Sequence, residues 1–171
     1  VQAVSDAGRR IIRYNDGFME AGRHFLRGDE DSIGGFVDRE TRHECGHPVV
    51  NFMADQNCLS LMDMVSYERR HNEYNGENNM DGRRYNISFN CGAEGKTKRE
   101  SVLRERKKMV KNALAMVFLS ASVPMLIAGD ELGMSHGGNN NPYCHDNEIN
   151  YIDWGLLEKN SDLYEFTRRL I

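Results

Sequence analysis

The chain has 171 residues, of which 39% are hydrophobic and 28% charged, with 26 acidic and 22 basic side chains giving a net charge of −4. This length suits one domain and is short of the roughly 250 residues of a closed eight-stranded barrel. The composition excludes wholesale disorder, no apolar run approaches the roughly 20 residues that cross a bilayer, and the mixed charges offer no field for nucleic acid. The four cysteines follow no repeated spacing, which favours a reducing cytoplasm. Because the chain opens on Val1 and has no secretory signal, we expect a processed or trimmed product.

Three short apolar segments are predicted to be strands, and each precedes a turn and a helical pattern, which is typical of βα units around a parallel sheet. The predicted strands are residues 11–14, 49–53 and 123–128. The first leads into a helix over residues 18–27 that stops at Gly28, and the second leads into a helix that begins near Leu59. A further helix is predicted over residues 99–120, where apolar residues recur at helical spacing.

Two long segments resist any periodic assignment and are predicted to be loops. Residues 71–95 are rich in Asn and Gly, which favour turns, and residues 133–150 follow the third strand. Loops of this length in a compact domain are usually functional or disordered.

Polar residues end each predicted strand: Asn15-Asp16, Gln56-Asn57 and Asp130-Glu131. The carboxyl ends of parallel strands are where α/β folds place their ligand sites. Amides and carboxylates can exchange hydrogen bonds with hydroxyl groups, so a sugar is a natural ligand class. Ordinary helix caps are the alternative interpretation of the same residues.

Three further features have ordinary interpretations. The basic residues between Lys96 and Lys111 indicate a solvated helix face, and Trp154 is expected in the core, although it could stack on a sugar. A zinc site of His43, Cys45 and His47 with Cys58 is an alternative hypothesis, but this spacing is not a standard one and a polar loop is favoured.

Longer strings of the sequence are more specific than these patterns. They are VSYERRHNEYNGENNMDGRRYNISFNCGAEG, VPMLIAGDELG and GNNNPYCHDNEINYIDW. All three resemble the glycogen-debranching and isoamylase branch of the α-amylase superfamily of glycoside hydrolases, and the resemblance runs from Tyr14-Asn15-Asp16 to the final FTRRLI. It implies an α/β fold, a single-domain part of a (β/α)8 TIM barrel with long loops. Residues 1–47, 48–122 and 123–171 would be its sixth, seventh and eighth βα units.

The resemblance also implies a function. The family hydrolyses α-1,6 branch linkages of glycogen and related glucans with retention, using an Asp nucleophile and a Glu acid that would both lie upstream of Val1. A His-Asp pair after the seventh strand, which holds sugar hydroxyls in the transition state, aligns with Gln56 and Asn57, so both members are changed. Because retaining hydrolysis needs two carboxyl groups about 5 Å apart, we expect the chain to be inactive alone. A non-catalytic glucan-binding or scaffolding relative is the alternative.

Residues that keep the family pattern are the candidate sugar contacts, and neither a cofactor nor a metal is expected. The candidates are Asn15, Asp16, His71, Asn72, Glu73, Glu77, Asn78, Asp81, Asp130, Glu131, Asn139, Asn140, Tyr143, Asp146, Asn147 and Glu148. About half of them are expected to satisfy the backbone of their own loops instead. Partners are therefore an α-glucan or glycogen and a missing amino-terminal barrel half. Self-association is also expected, because a slice of a barrel leaves two unpaired edges.

Overall fold

A computed structural model describes residues 12–41, 48–143 and 145–171 of the chain. Its strands are β1 (Arg13–Tyr14), β2 (Val49–Asn51) and β3 (Val123–Pro124). Its α-helices are α1 (Asp16–Arg27), α2 (Ser32–Thr41), α3 (Leu61–Met64), α4 (Glu100–Phe118), α5 (Gly155–Lys159) and α6 (Ser161–Leu170). Two single-turn 3-10 helices cover Glu73–Asn75 and Asp130–Leu132.

The three strands form one parallel sheet in the order β1-β2-β3, as the βα pattern predicts. Arg13 pairs with Val49, and Val50 pairs with Val123. The second and third strands are shorter than predicted, since they end at Asn51 and Pro124. β3 is an outer strand, so it continues only as far as its single neighbour β2 offers backbone hydrogen-bond partners. Past Met125 the chain turns, and the Asp130 N–H donates to the Ile127 carbonyl.

The helices α1 and α4 start and stop close to the predicted positions. Asn15 accepts a hydrogen bond from the Phe18 N–H at 3.1 Å and so caps α1, which ends at Gly28 in the left-handed conformation. The apolar stripe of α4 packs into the core, with Val110 and Leu114 fully buried. Capping signals at both ends mark α1, and the periodicity of apolar residues marks α4, so the sequence is sufficient to place both helices.

Helices α2, α5 and α6 are not predicted from the sequence pattern. Helix α2 contains Gly34 and Gly35, which weaken the helical signal, and is held to α1 by Phe36, whose ring stacks on Phe25 at a centroid distance of 5.2 Å. In α6, Leu163 is buried in the core. Tertiary packing, more than local propensity, stabilises α2 and α6.

The basic segment is only partly a solvated face. Arg106 is 4% exposed, which corrects the prediction at this position, because its guanidinium donates to the carbonyls of Gly95 and Ala93 in the neighbouring loop. Lys107 and Lys111 lie 2.7 Å and 2.9 Å from the Asp162 carboxylate of α6. The segment therefore joins α4 to a loop and to α6.

Trp154 is 69% exposed, so the core packing expected for it is wrong. It lies at the start of α5, a five-residue helix with no buried residue, which leaves the indole no apolar surface to pack into. Within the described residues, no helix is long and apolar enough to cross a membrane.

Candidate functional site

The polar residues that follow β1 divide between structure and surface. Asn15 caps α1 and also donates from Nδ2 to Asn51 Oδ1 at 2.7 Å, which ties the end of β1 to β2. Asp16 is exposed and lies 3.7 Å from the Arg83 guanidinium of the first long loop. One residue of this pair therefore holds the fold, and the other is open to a ligand.

After β2 the chain turns sharply and presents two amides to solvent. Asp55 is buried and accepts a hydrogen bond from the Asn57 N–H at 2.9 Å, while the side chains of Gln56 and Asn57 are exposed. The buried turn below them is held by Cys58 Sγ, which accepts from the Asp55 N–H at 3.0 Å. The site expected for the His-Asp pair is therefore accessible but uncharged.

After β3, Asp130 points inward and Glu131 stays near its own backbone. Asp130 is 2% exposed and accepts from the Leu61 N–H at 2.8 Å, which joins this turn to the start of α3. Burial raises the pKa of Asp130 to about 7. Glu131 accepts from the Gly129 N–H at 2.9 Å. Asp130 therefore connects the turn after β3 to the start of α3 and is not presented to solvent.

The two long loops are joined by a network of side-chain amides. Asn72 and Asn140 are fully buried, and Asn72 Nδ2 donates to Asn140 Oδ1 at 2.8 Å while the Asn140 N–H donates to Asn72 Oδ1 at 3.0 Å. Asn140 Nδ2 donates to the Arg83 carbonyl and to Asn86 Oδ1, both at 2.7 Å, and Asn72 Nδ2 also reaches the Asp81 carbonyl at 3.1 Å. These side chains replace the backbone pairing that loops lack.

A second part of the amide network centres on Asn75. Its Nδ2 donates to Asp81 Oδ2 at 2.7 Å, and its Oδ1 accepts from Asn139 Nδ2 at 2.7 Å. Asn141 Nδ2 also donates to Asp81 Oδ2 at 2.8 Å, and His145 Nε2 lies 2.6 Å from Asn75 Oδ1. Burial acts to raise the pKa of Asp81, but the hydrogen bonds from Asn75 and Asn141 outweigh it and the pKa is lowered. Asp81 is thus held as a charged acceptor inside the network.

Two buried arginines attach the first loop to the helices. Arg23 of α1 is fully buried and donates to the carbonyls of Met53 (2.6 Å), Asn86 (2.7 Å) and Leu59 (3.1 Å). Arg106 of α4 holds the other end of the loop, as described above. Neither role is visible in the sequence, where Arg normally indicates a solvated position.

The remaining candidates lie at the outside of the loops. Among the predicted contacts, Glu73, Glu77, Asn78, Tyr143, Asp146, Asn147 and Glu148 are exposed. His71 is partly buried, with its ring edge against Tyr67 at a centroid distance of 5.2 Å and its backbone N–H bonded to the Gly138 carbonyl at 2.7 Å.

Sequence reasoning missed the aromatic residues of the first loop. Tyr74 and Tyr85 are 84% and 75% exposed, and Tyr143 in the second loop is 77% exposed. Tyr74 directly precedes Asn75, and Tyr143 lies between the network residues Asn141 and His145 in the sequence. The positions of both rings are therefore set by neighbouring residues of the amide network. Tyr143 is among the predicted contacts, whereas Tyr74 is not, and an aromatic residue beside a turn-forming Asn is the signal that could have drawn attention to Tyr74.

Among the described residues, no group of three or more His, Cys, Asp or Glu side chains is arranged to hold a metal ion. Three of the four residues in the zinc hypothesis, His43, Cys45 and His47, lie outside the described residues. That hypothesis therefore stays untested.

The amino-acid sequence of the chain is similar to those of known proteins. No family model matches the chain. It is 38% identical over 164 residues to the glycogen operon protein GlgX homolog of Mycobacterium tuberculosis, covering 91% of the chain and 23% of that protein. It is 37% identical over 165 residues to the chloroplastic isoamylase 1 of Oryza sativa, covering 90% of the chain and 20% of that protein. Over about nine-tenths of its length the chain is thus similar to a GlgX homolog and to an isoamylase.

This similarity confirms the resemblance predicted from the sequence. The chain spans about a quarter of the length of the GlgX protein. Among solved structures, pullulanase from Bacillus acidopullulyticus superposes with a TM-score of 0.62 at 19% identity, covering 92% of the chain and 18% of that protein. At this identity the superposition shows the fold alone. The chain thus has the fold of a segment of this pullulanase.

Proposed function

We propose that the chain forms the carboxyl-terminal part of the catalytic barrel of a debranching glycoside hydrolase that cleaves α-1,6 branch linkages in glycogen or a related α-glucan. The observation that carries this proposal is the homology to GlgX and isoamylase proteins over nine-tenths of the chain. The parallel order β1-β2-β3 supports assigning residues 1–47, 48–122 and 123–171 to the sixth, seventh and eighth βα units of one domain.

Exposed apolar residues on the outer strands support a missing upstream barrel half. Tyr14 of β1 is 55% exposed, Val123 of β3 is 46% exposed and Ile12, just before β1, is 53% exposed. In a closed barrel, neighbouring strands cover such positions and no edge remains. The upstream strands, or a second copy of the chain, are the partners that would bury them.

The chain supplies no catalytic pair in this proposal. A retaining hydrolase places two carboxyl groups about 5 Å apart across the scissile bond, and the residues presented after β2 are the amides Gln56 and Asn57. A neutral amide makes a hydrogen bond about half as strong as a charge-assisted one, so transition-state stabilisation there is weakened as well. We therefore expect no turnover from the isolated chain.

Glucan binding is assigned to the exposed rim of the two loops. The buried amides of Asn72, Asn139 and Asn140 are engaged in the network and act as scaffold, whereas Tyr74 and Tyr143 offer flat apolar faces to a sugar. Aromatic faces stack on apolar surfaces, and exposed carboxylates such as Glu73 can accept hydrogen bonds from hydroxyls.

A non-catalytic glucan-binding relative is the second candidate function. It is supported by the exposed amides of Gln56 and Asn57, which stand where the family resemblance implies the His-Asp pair. A cytoplasmic location and the absence of a nucleic-acid partner accompany either function as predictions.

The test combines hydrolysis and binding by the whole chain. Reducing ends released from a branched limit dextrin should stay at background, while electrophoresis through glycogen-containing gel should retard the chain. Tyr74→Ala and Tyr143→Ala should each weaken this retardation by about two- to tenfold, the value of one aromatic contact.

Tyr164→Ala, which removes a partly exposed ring on α6, is the matched control and should leave the retardation unchanged. Measured turnover would overturn the assignment of an incomplete site. Retardation that is absent in the wild-type chain would overturn the glucan-binding rim. Adding the upstream barrel half separates the two functions, because only the enzyme fragment gains hydrolysis.

A further inference from the structure

A large groove lies apart from the strand ends, on the side of the molecule where α4 begins. Its volume is about 1160 Å³. It is lined by the first two turns of α4, by α5 and by residues of the second long loop. Tyr67, Ser135 and Asn160 contribute a ring, a hydroxyl and an amide to its wall. Of its lining residues, Glu148 alone is also a candidate sugar contact.

The charge of this groove is opposite to that of the whole chain. Five basic side chains line it, namely Lys96, Lys98, Arg106, Lys107 and Lys159, against the two acidic side chains of Glu148 and Asp153. The chain as a whole carries a net charge of −4. A concave surface lined by one sign of charge focuses its field and concentrates counter-ions.

Three of these cations have no internal partner. Lys107 lies 2.7 Å from Asp162, but Lys96, Lys98 and Lys159 form no ion pair with any of the described residues. All three are exposed, so their ammonium groups are available to a ligand.

Arg106 at the groove wall adds a buried charge without a counter-charge. It is 4% exposed and its hydrogen bonds go to backbone carbonyls, with no carboxylate within 4.0 Å among the described residues. Burial lowers the pKa of this guanidinium. A buried cation is costly until an anion lies near it, so an anionic group in the groove would be stabilised.

Polar and aromatic groups beside these cations suit a sugar. Tyr151 is 55% exposed and its hydroxyl is held by Asp146 Oδ1 at 2.9 Å, which fixes the ring at the mouth of the groove. Thr97, Ser135 and Asn160 line the same groove; Ser135 Oγ donates to Asp63 and Asn160 Nδ2 to the Leu132 carbonyl, which leaves the oxygen atoms of the three side chains as acceptors. Hydroxyl, amide and ring together match the mixed surface of a pyranose.

We propose that this groove binds a phosphorylated sugar, with Lys96, Lys98 and Lys159 holding the phosphate and the ring of Tyr151 packing against the sugar. The ligand is either a free hexose phosphate or a phosphate-bearing residue of a glucan chain. The groove works independently of hydrolysis at the strand ends.

The experiment is isothermal titration of the whole chain with glucose-6-phosphate, glucose and inorganic phosphate. Glucose-6-phosphate should bind more tightly than the other two, and the affinity should fall as ionic strength rises from about 0.01 M to about 0.1 M, which shortens the Debye length from about 30 Å to about 10 Å. The triple variant Lys96→Gln, Lys98→Gln, Lys159→Gln should lose at least about tenfold in affinity.

The control changes the same total charge elsewhere. Arg104→Gln, Lys108→Gln and Arg169→Gln together remove three exposed cations outside the groove and should leave affinity within about twofold, since surface charges at a distance are screened. Replacing the three groove lysines by arginine should preserve binding. Circular dichroism establishes that every variant is folded.

Each outcome decides the proposal. Binding of phosphorylated maltodextrin that disappears after phosphatase treatment, with no binding of glucose-6-phosphate, supports it and assigns the ligand to a glucan chain. Equal affinity for inorganic phosphate and glucose-6-phosphate overturns the sugar component. No binding of any phosphorylated probe, or binding that survives in the glutamine triple variant, overturns the site.

Discussion

Gly82 lies where the two long loops meet, and its replacement by alanine tests the amide network directly. Its φ is +70°, and a Cβ placed there would lie 2.3 Å from Asn140 Oδ1 and 2.9 Å from Asn72 Nδ2. These distances are too short for any real contact, so the Asn140 amide has to move. Asn140 is fully buried and bonded to several partners, so this movement breaks hydrogen bonds.

The chain offers a matched control for the backbone part of this change. Gly76 has a φ of +78° and open space where its Cβ would stand. An L-residue in this conformation costs about 1 to 2 kcal/mol, and Gly76→Ala measures that cost alone. Gly82→Ala also separates Asn72 from Asn140, and each buried polar group left unpaired costs about 1 to 3 kcal/mol. We expect Gly82→Ala to destabilise the chain by about 2 to 4 kcal/mol more than Gly76→Ala.

Urea denaturation followed by far-ultraviolet circular dichroism measures both variants against the wild type. Equal slopes against urea are needed for the free energies of unfolding to be compared. A difference between the two variants below about 0.5 kcal/mol would refute the reasoning, because it would show that the amide network shifts at no cost. Hydrogen exchange of the Asn140 N–H gives an independent readout, and it should accelerate in Gly82→Ala only.

Two further predictions concern buried charge. Arg23→Met leaves three carbonyls without their donor and should lower the free energy of unfolding, measured by urea denaturation, by about 3 to 5 kcal/mol. Arg27→Met on the same helix removes an exposed ion pair with Asp29 and should lower it by less than about 1 kcal/mol. Equal losses of stability in the two variants would contradict the role of Arg23. The raised pKa of Asp130 means that the unfolded chain releases this proton near 3.8 and the folded chain near 7, so stability falls as pH rises between these values. Asp130→Asn removes up to about 4 kcal/mol of this loss of stability. The Tm of Asp130→Asn relative to the wild type should therefore rise from pH 4 to pH 8, whereas that of the exposed control Glu158→Gln should not. A Tm difference that stays constant with pH would contradict the assignment to Asp130.

The elements that the sequence predicts well are those in which local signals agree. Helix α1 has a capping Asn15, an apolar face and a terminal Gly28, and each acts within a few residues of the chain. The parallel sheet follows from short apolar segments separated by helices. The long loops follow from their Asn and Gly content, although their internal order does not.

The roles of single polar residues depend on contacts between distant parts of the chain. Asn72 and Asn140 are 68 residues apart, and nothing in either local pattern pairs them. Buried Arg23 and Arg106 are equally invisible, because a donor that satisfies loop carbonyls resembles a solvated Arg in sequence. The family strings contain Asn72 and Asn140, but they do not separate a scaffold amide from a sugar contact. Burial makes that separation: the network amides are enclosed and the aromatic rim is open.

This division between scaffold and rim is the reason why we expect glucan binding and turnover to be separable. The loops satisfy their own polar groups through Asn72, Asn75 and Asn140, so their shape does not depend on strands that lie elsewhere in the relatives. The apolar outer strands, in contrast, remain open at Tyr14 and Val123 until another strand covers them. A catalytic pair supplied from that side would meet a glucan already positioned by the loop rim. Upstream strands should therefore change the rate of hydrolysis far more than the affinity for glycogen, and a large gain in affinity without hydrolysis would place the glucan site on the missing half instead.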